Sequence, residues 1–322
     1  MKNKSISQSF FLIITILILS VYLSIKTDDF LTIENLYDVI NSYAMLAILA
    51  CGLFIVLISG GIDISFPAIT IISQYIMVSF IMKHDGNYFI VFLISTLSGT
   101  ALGLINAFIV NRLKVPSIII TISTLNIFYG LLLYITKGTW LYDYPAWFQE
   151  EIIFFKSTTA TGFEYGLSFQ FLLLLTVILL TGFIMNKTSI GRKIYALGGN
   201  AEAASRVGFN LLKLHLFVYG YMGFVSGIAG VVQSYTVQTV APDSLLGYEL
   251  TVLAAVVLGG TSLIGGKGTL SGTMMGVILL AIIQNGLNLL GISSYWQTVV
   301  TGLIIVFSVS MTAWSQRNKV GE

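Results

Sequence analysis

Apolar stretches of membrane-crossing length follow one another along this chain, separated by short polar or glycine-rich breaks. The first is Phe10–Ile25, behind a start that carries Lys2 and Lys4. No small-residue cleavage pattern follows it, so it predicts a first transmembrane helix rather than a removed leader. Leu31–Asn41 is amphipathic, contains Glu34 and Asp38, and predicts an interfacial helix outside the membrane. Further spans are Ser42–Ser59, Phe66–Met82, Tyr88–Val110, Ser117–Thr136, Phe169–Met185, Leu214–Val232, Leu270–Leu290 and Tyr295–Met311. Glu249–Leu258 is too short to cross about 30 Å of hydrocarbon at about 1.5 Å per residue. Either its neighbours extend it or it is a half-helix beside a cavity. Counting it, the pattern predicts about ten transmembrane helices in one domain over residues 1–322.

The breaks differ in kind. Gly60-Gly61-Ile62-Asp63-Ile64-Ser65 interrupts one apolar run, and the glycine-rich Gly259–Gly268 follows another. A short apolar run, a double glycine and a new helix thus occur twice, at Gly60-Gly61 and Gly259-Gly260. Paired, glycine-interrupted segments point to a transport site between two related halves. Residues 187–212 form a polar segment of another sort. Asn200 suits an N-cap, Ala201–Val207 favours helix, and Gly208 suits a left-handed exit. Such a helix of about two turns is unstable alone in water and needs something to dock against. A tight polar loop with incidental helix is the plainer alternative. The longest polar segment, 137–168, carries Trp140 and Trp147, residues that suit a membrane–water interface.

Composition sets the class. The chain is 56% hydrophobic and 9% charged, with a mean hydropathy of +0.90. Soluble domains carry about 25% charged residues, so this is an integral membrane protein. Its long spans are helical, not the alternating segments of an outer-membrane barrel. Basic residues decide orientation. With the N-terminus inside, Lys2, Lys4, Arg112, Lys114, Lys187, Arg192, Lys193, Arg206, Lys213, Lys267, Arg317 and Lys319 lie inside. Only Lys26, Lys83, Lys137 and Lys156 lie outside. The rule therefore predicts both termini and segment 187–212 in the cytoplasm, and loop 137–168 outside.

Little catalytic chemistry is on offer. Cys51 is the only cysteine, and His84 and His215 are far apart, so neither a disulfide nor a metal site is expected. No basic stripe suggests nucleic acid. Gly265-Gly266-Lys267-Gly268 fails the phosphate-loop pattern, with Thr261 and Gly268 at the wrong positions and no strand before it. Asp63 is the acid nearest the middle of an apolar stretch, where a charge costs about 2.5–3.5 kcal/mol. It either lines a path or holds a broken helix, or it is an acid at the end of a span, in reach of water or capping the helix that starts near Ser65. Asn106, Asn126, Gln284 and Asn285 are uncharged polar groups that can bond a polyhydroxylated solute or join helix to helix. The scarcity of intramembrane ionisable groups suits a neutral solute.

The chain resembles the permease subunits of bacterial ABC importers for simple sugars, the ribose-type branch. The residues that carry this are Gly60–Ser65, Leu113–Thr121, Ala196–Asn200 with Glu202-Ala203-Ala204 and Gly208, Ala254–Ser262 with Gly265-Gly266, and Asn285–Gly291. They cover roughly residues 40–310 in the family's order. The resemblance implies an all-α polytopic permease of about ten helices, with broken helices at its centre, in a bacterial inner membrane. It implies as partners a cytoplasmic ATP-binding subunit, a periplasmic or extracellular solute-binding protein and a second permease copy or a related permease, within membrane lipid. ATP and magnesium would sit on the ATPase, with no cofactor on this chain. The implied ATPase-coupling residues are Asn200, Ala201, Glu202, Ala203, Ala204, Arg206 and Gly208; the Leu-Pro that follows in longer forms of that motif is absent. Ribose, other pentoses, deoxyhexoses and autoinducer-2 stand equally near as solutes. A secondary transporter without an ATPase is the rival reading, with Asp63 its one ion-coupling candidate, and a membrane enzyme a more distant one.

Overall fold

The computed structural model describes residues 8–304, 306 and 310. Lys2, Lys4, Arg317, Lys319 and the end of the span predicted at Tyr295–Met311 lie outside the described residues. At its centre is helix α3, Ala44–Ile58, in which every side chain is buried. A helix apolar all round is stable only in such a position or in lipid. Packed on it are α8 (Phe169–Lys187), α11 (Leu211–Val237), α12 (Tyr248–Leu258) and α13 (Leu270–Leu289), and α1 (Gln8–Lys26), α4 (Phe66–His84), α5 (Tyr88–Leu113) and α6 (Ser117–Thr136) complete the bundle. Short helices α2 (Ile33–Ser42), α7 (Ala146–Gln149), α9 (Ser189–Gly199) and α10 (Ala201–Arg206) connect them, and residues 294–304 are helical again.

Six of these helices are long and apolar enough to cross a bilayer. The pair α2–α3, bent by 43°, makes a seventh if taken as one span. α1 and α12 are apolar but shorter within the described residues. The fold class is therefore an all-α polytopic membrane protein; among the described residues six helices, or seven with the bent pair, meet the length and composition of a crossing, which leaves the expected ten unconfirmed. Among the described residues α1 and α12 are the apolar helices that fall short. α12 has 11 residues, about 16 Å of helix, roughly half a hydrocarbon core.

The most extensive helix pair is α5 with α11. Gly99 and Gly103 face Gly223 and Gly227, and an added Cβ at Gly223 would lie 2.1 Å from the Gly99 carbonyl oxygen. The Ser95 hydroxyl donates to the Gly227 carbonyl at 2.8 Å across the same contact. Small residues four apart on both helices let the backbones touch, the usual way helices associate where lipid removes the hydrophobic drive.

Segment 137–168 is more structured than expected. It holds α7 and an antiparallel hairpin, β1 (Ile153–Thr158) with β2 (Glu164–Ser168), which pairs Ile153 with Ser168. Thr161 donates from the hairpin turn to Glu34 on α2 at 2.9 Å. Trp147 donates its indole N–H to Asp85, just beyond α4, so its ring is held by protein and not by lipid alone.

Candidate functional site

Both sequence breaks end a helix in the same way. After α3, the Gly60 N–H donates to Leu57 O and the Gly61 N–H to Val56 O. After α12, the Gly260 N–H donates to Val257 O and the Thr261 N–H to Val256 O. Gly60 and Gly260 have φ of +83° and +86°. Each is a Schellman cap, in which a glycine in left-handed backbone lets the last carbonyls find donors. The resemblance between the two halves thus extends to individual hydrogen bonds.

Asp63 sits in the first break and is 1% exposed. Its Oδ1 accepts from the Ser65 backbone N–H at 2.7 Å and from the Ser65 hydroxyl at 2.6 Å. The Asn106 amide of α5 donates to that hydroxyl at 2.7 Å. Ile62 on the same loop donates its N–H to Ser117 at the start of α6 at 2.8 Å, and Tyr219 of α11 stands against Gly61. The carboxylate therefore organises the entry to α4, and the loop is fastened to α5, α6 and α11. Asp63 Oδ2 and Asn106 Oδ1 are buried and make no hydrogen bond to a described residue.

The other polar candidates do not join them. Asn126 is exposed and its amide donates to Ile122 O on its own helix at 2.8 Å. Asn285 exchanges two hydrogen bonds with Asn35 of α2, at 2.8 and 3.2 Å, at the far end of α13 from the breaks. Gln284 points its amide at Thr301, 3.4 Å away. The five candidate path residues thus fall in three places: Asp63 with Asn106, Asn126 alone, and Gln284 with Asn285. Glu249 lies in the first turn of α12, where a negative charge suits the helix N-terminus.

The polar segment between α8 and α11 contains the predicted short helix. The Asn200 side chain accepts from the Ala203 N–H at 2.9 Å, which caps α10. Its exit is a third Schellman turn: Gly208 N–H to Ser205 O at 3.0 Å and Phe209 N–H to Ala204 O at 3.1 Å, with Gly208 at φ +87°. The helix ends at Arg206, one residue short of the prediction, because Val207 is the C-cap. Ala204 is its only buried residue. Ala201, Glu202, Ala203, Arg206 and Gly208 are exposed, and Val207 is 70% exposed. Glu202 and Arg206 pair along the helix face; so exposed a pair adds little stability.

Helix α9, immediately before it, was not expected. Its residues Gly191, Ile194 and Leu197 are buried on one face, and Thr188 caps it by accepting from the Gly191 N–H. The spacing of those three was the available signal, diluted by Arg192, Lys193 and Tyr195 between them.

The family described as branched-chain amino acid transport system / permease component matches residues 35–309. The ribose import permease protein of Haemophilus influenzae is 34% identical over 296 residues, 92% of this chain and 90% of that protein. The ribose import permease protein of Bacillus subtilis is 30% identical over 292 residues, 91% and 88% of the two chains. The L-arabinose transport system permease protein of Escherichia coli is 31% identical over 308 residues, 96% and 91%. No solved structure matches.

Proposed function

We infer the function from one premise: the chain belongs to the family of branched-chain amino acid transport system permease components. It is a multi-pass membrane permease subunit and not an enzyme. On that premise we propose that it passes a neutral monosaccharide, a pentose or a close relative, into a bacterial cytoplasm. ATP and magnesium are used on a separate ATP-binding subunit, and a solute-binding protein delivers the sugar from outside. A second copy of this permease or a related one completes the path. The names of the relatives support a sugar over an amino acid. So does the scarcity of charged groups within the spans, since a zwitterion would need partners for both its charges.

The observation that carries the reading is α10, a capped helix with almost no packing of its own. Its exposed Ala203 and the exposed Val207 at its C-cap are apolar surface without a use in the isolated chain. We assign segment 187–212 as the ATPase coupling segment and 137–168 as the external loop. Every inward-assigned basic residue among the described residues lies at the α9–α10 end of the bundle, which favours a cytoplasmic location for that end.

Two experiments test this. Ala203→Asp places an acid in the first turn of α10, where the helix itself tolerates it well. Against an apolar docking surface the same carboxylate is costly to desolvate. Gly208→Val forces a β-branched residue into left-handed backbone, at about 1–2 kcal/mol. Both variants are expected to insert normally and lose most copurification with the ATPase. Wild-type recovery in both would leave α10 a mere loop and move the coupling site elsewhere. For orientation, Cys51 is buried, which gives a quiet background for labelling. A cysteine at Lys187 is expected to react only from the cytoplasm and one at Glu150 only from outside; the reverse pattern overturns the assignment.

A further inference from the structure

Three glycine motifs that are far apart in the sequence meet at one point. Gly198, at the end of α9, packs directly on the end of α3 and on the glycine loop between α12 and α13. A Cβ on Gly198 would lie 1.8 Å from the Ile58 carbonyl oxygen and 2.7 Å from the Gly266 nitrogen. A Cβ on Gly265 would lie 2.6 Å from the Gly60 Cα and 2.8 Å from the Gly198 oxygen. Two hydrogen bonds close the arrangement. The Gly266 N–H donates to Ile58 O at 2.9 Å, and the Tyr195 hydroxyl of α9 donates to Gly268 O at 2.9 Å. Burial pushes the Tyr195 phenol above its ordinary pKa, so it remains a neutral donor. Contact of this kind is backbone on backbone, with no side chain that could rotate to absorb a displacement.

We propose that this contact is a rigid joint that transmits motion from the coupling segment to both helix breaks at once. Gly198 and Tyr195 are its positioning residues. The proposal rests on the coupling role assigned to segment 187–212 and adds the route by which it acts. When α10 is moved by its partner, α9 moves with it, packed on it and joined through Asn200. The joint then carries the end of α3 and the glycine loop after α12 together, so the two related halves of the chain respond as one. Without it, α9 would act only through its packing on α8 and α11. Two discrete arrangements of packed elements, not gradual bending, are what such a contact passes on.

The test separates recruitment of the ATPase from use of its energy. Gly198→Ala inserts one methyl against the Ile58 carbonyl and forces the joint apart. Gly199→Ala is its control, since a Cβ there meets nothing within 4 Å. Tyr195→Phe removes one hydrogen bond and adds no atom. In proteoliposomes with the ATPase and a loaded binding protein, Gly198→Ala is expected to keep ATPase copurification. It is expected to lose at least tenfold in sugar transported per ATP hydrolysed. Tyr195→Phe is expected to lose about fivefold, the effect of one hydrogen bond on the equilibrium between the two arrangements. Gly199→Ala is expected to match wild type. A wild-type transport-to-hydrolysis ratio in Gly198→Ala overturns the joint. If that variant fails to fold, an unchanged ratio in Tyr195→Phe overturns it equally. A wild-type chain that recruits no ATPase overturns the coupling assignment, and the joint with it; retained recruitment with an altered ratio supports both.

Discussion

Gly223→Val is expected to yield almost no folded permease. The substitution removes a glycine from a helix interior, which on propensity alone gains a few tenths of a kcal/mol. Packing decides against it. The new side chain begins 2.1 Å from the Gly99 carbonyl oxygen and 3.1 Å from the Gly103 Cα, so α5 and α11 must separate along their whole contact. Separation also breaks the Ser95 hydrogen bond to Gly227. Overpacking costs about 1–3 kcal/mol even where side chains can adjust, and here the obstacle is backbone. The yield of monodisperse protein in detergent and its melting temperature measure the effect. Gly130→Val is the control, on the outer face of α6 where a Cβ meets nothing within 4 Å. A Gly223→Val protein that melts within about 2 °C of wild type would mean that the glycine contact is not what holds these helices.

Asp63→Leu is expected to abolish uptake while the chain still inserts and still binds its ATPase. Leucine fills the space but leaves the Ser65 N–H and hydroxyl, both buried, without their acceptor. Each such group costs about 1–3 kcal/mol. The loss falls on the loop between α3 and α4, which is fastened to α5, α6 and α11, so several helices shift relative to one another. Asp63→Asn keeps an oxygen facing Ser65 and is expected to retain a measurable fraction of uptake. Equal, normal uptake by both variants would reduce Asp63 to a tolerated loop acid.

Local chemistry was legible in the sequence. Asn200 and Gly208 announced the limits of α10 because caps are decided by one or two residues. Gly60 and Gly260 announced the ends of α3 and α12 for the same reason. The alternative role for Asp63, securing the entry to α4, could also be stated in advance, because Ser65 lies two residues away. What was hidden depends on chain far away. Nothing near Gly198 signals that Ile58 and Gly266 will press on it. Nothing near Asn285 signals Asn35 as its partner. The hairpin in 137–168 was missed because Ile153–Thr158 shows no alternation: only Ile153 is partly covered and the rest is exposed. The grouping of Asp63 with Asn106, apart from Asn126, Gln284 and Asn285, follows from helix packing that no short window of sequence contains.

The burial of α3 has a consequence for how the protein is made. Its neighbours in the finished bundle are α8, α9, α11, α12 and α13 besides the adjacent α2, so most of its walls are synthesised long after it. At roughly 5–20 residues per second, α11 is completed on the order of ten seconds or more after α3 leaves the ribosome. Until α8 emerges, α3 has only the adjacent α2, lipid and the insertion machinery among its partners. Its lack of any charged or amide side chain from Ala44 to Ile58 makes it as acceptable to lipid as to the core it later enters. The polar groups of the break after it, Asp63 and Ser65, meet Asn106 of α5 early. The centre of the permease is therefore laid down first, in a form that can wait in the membrane for the rest of the chain.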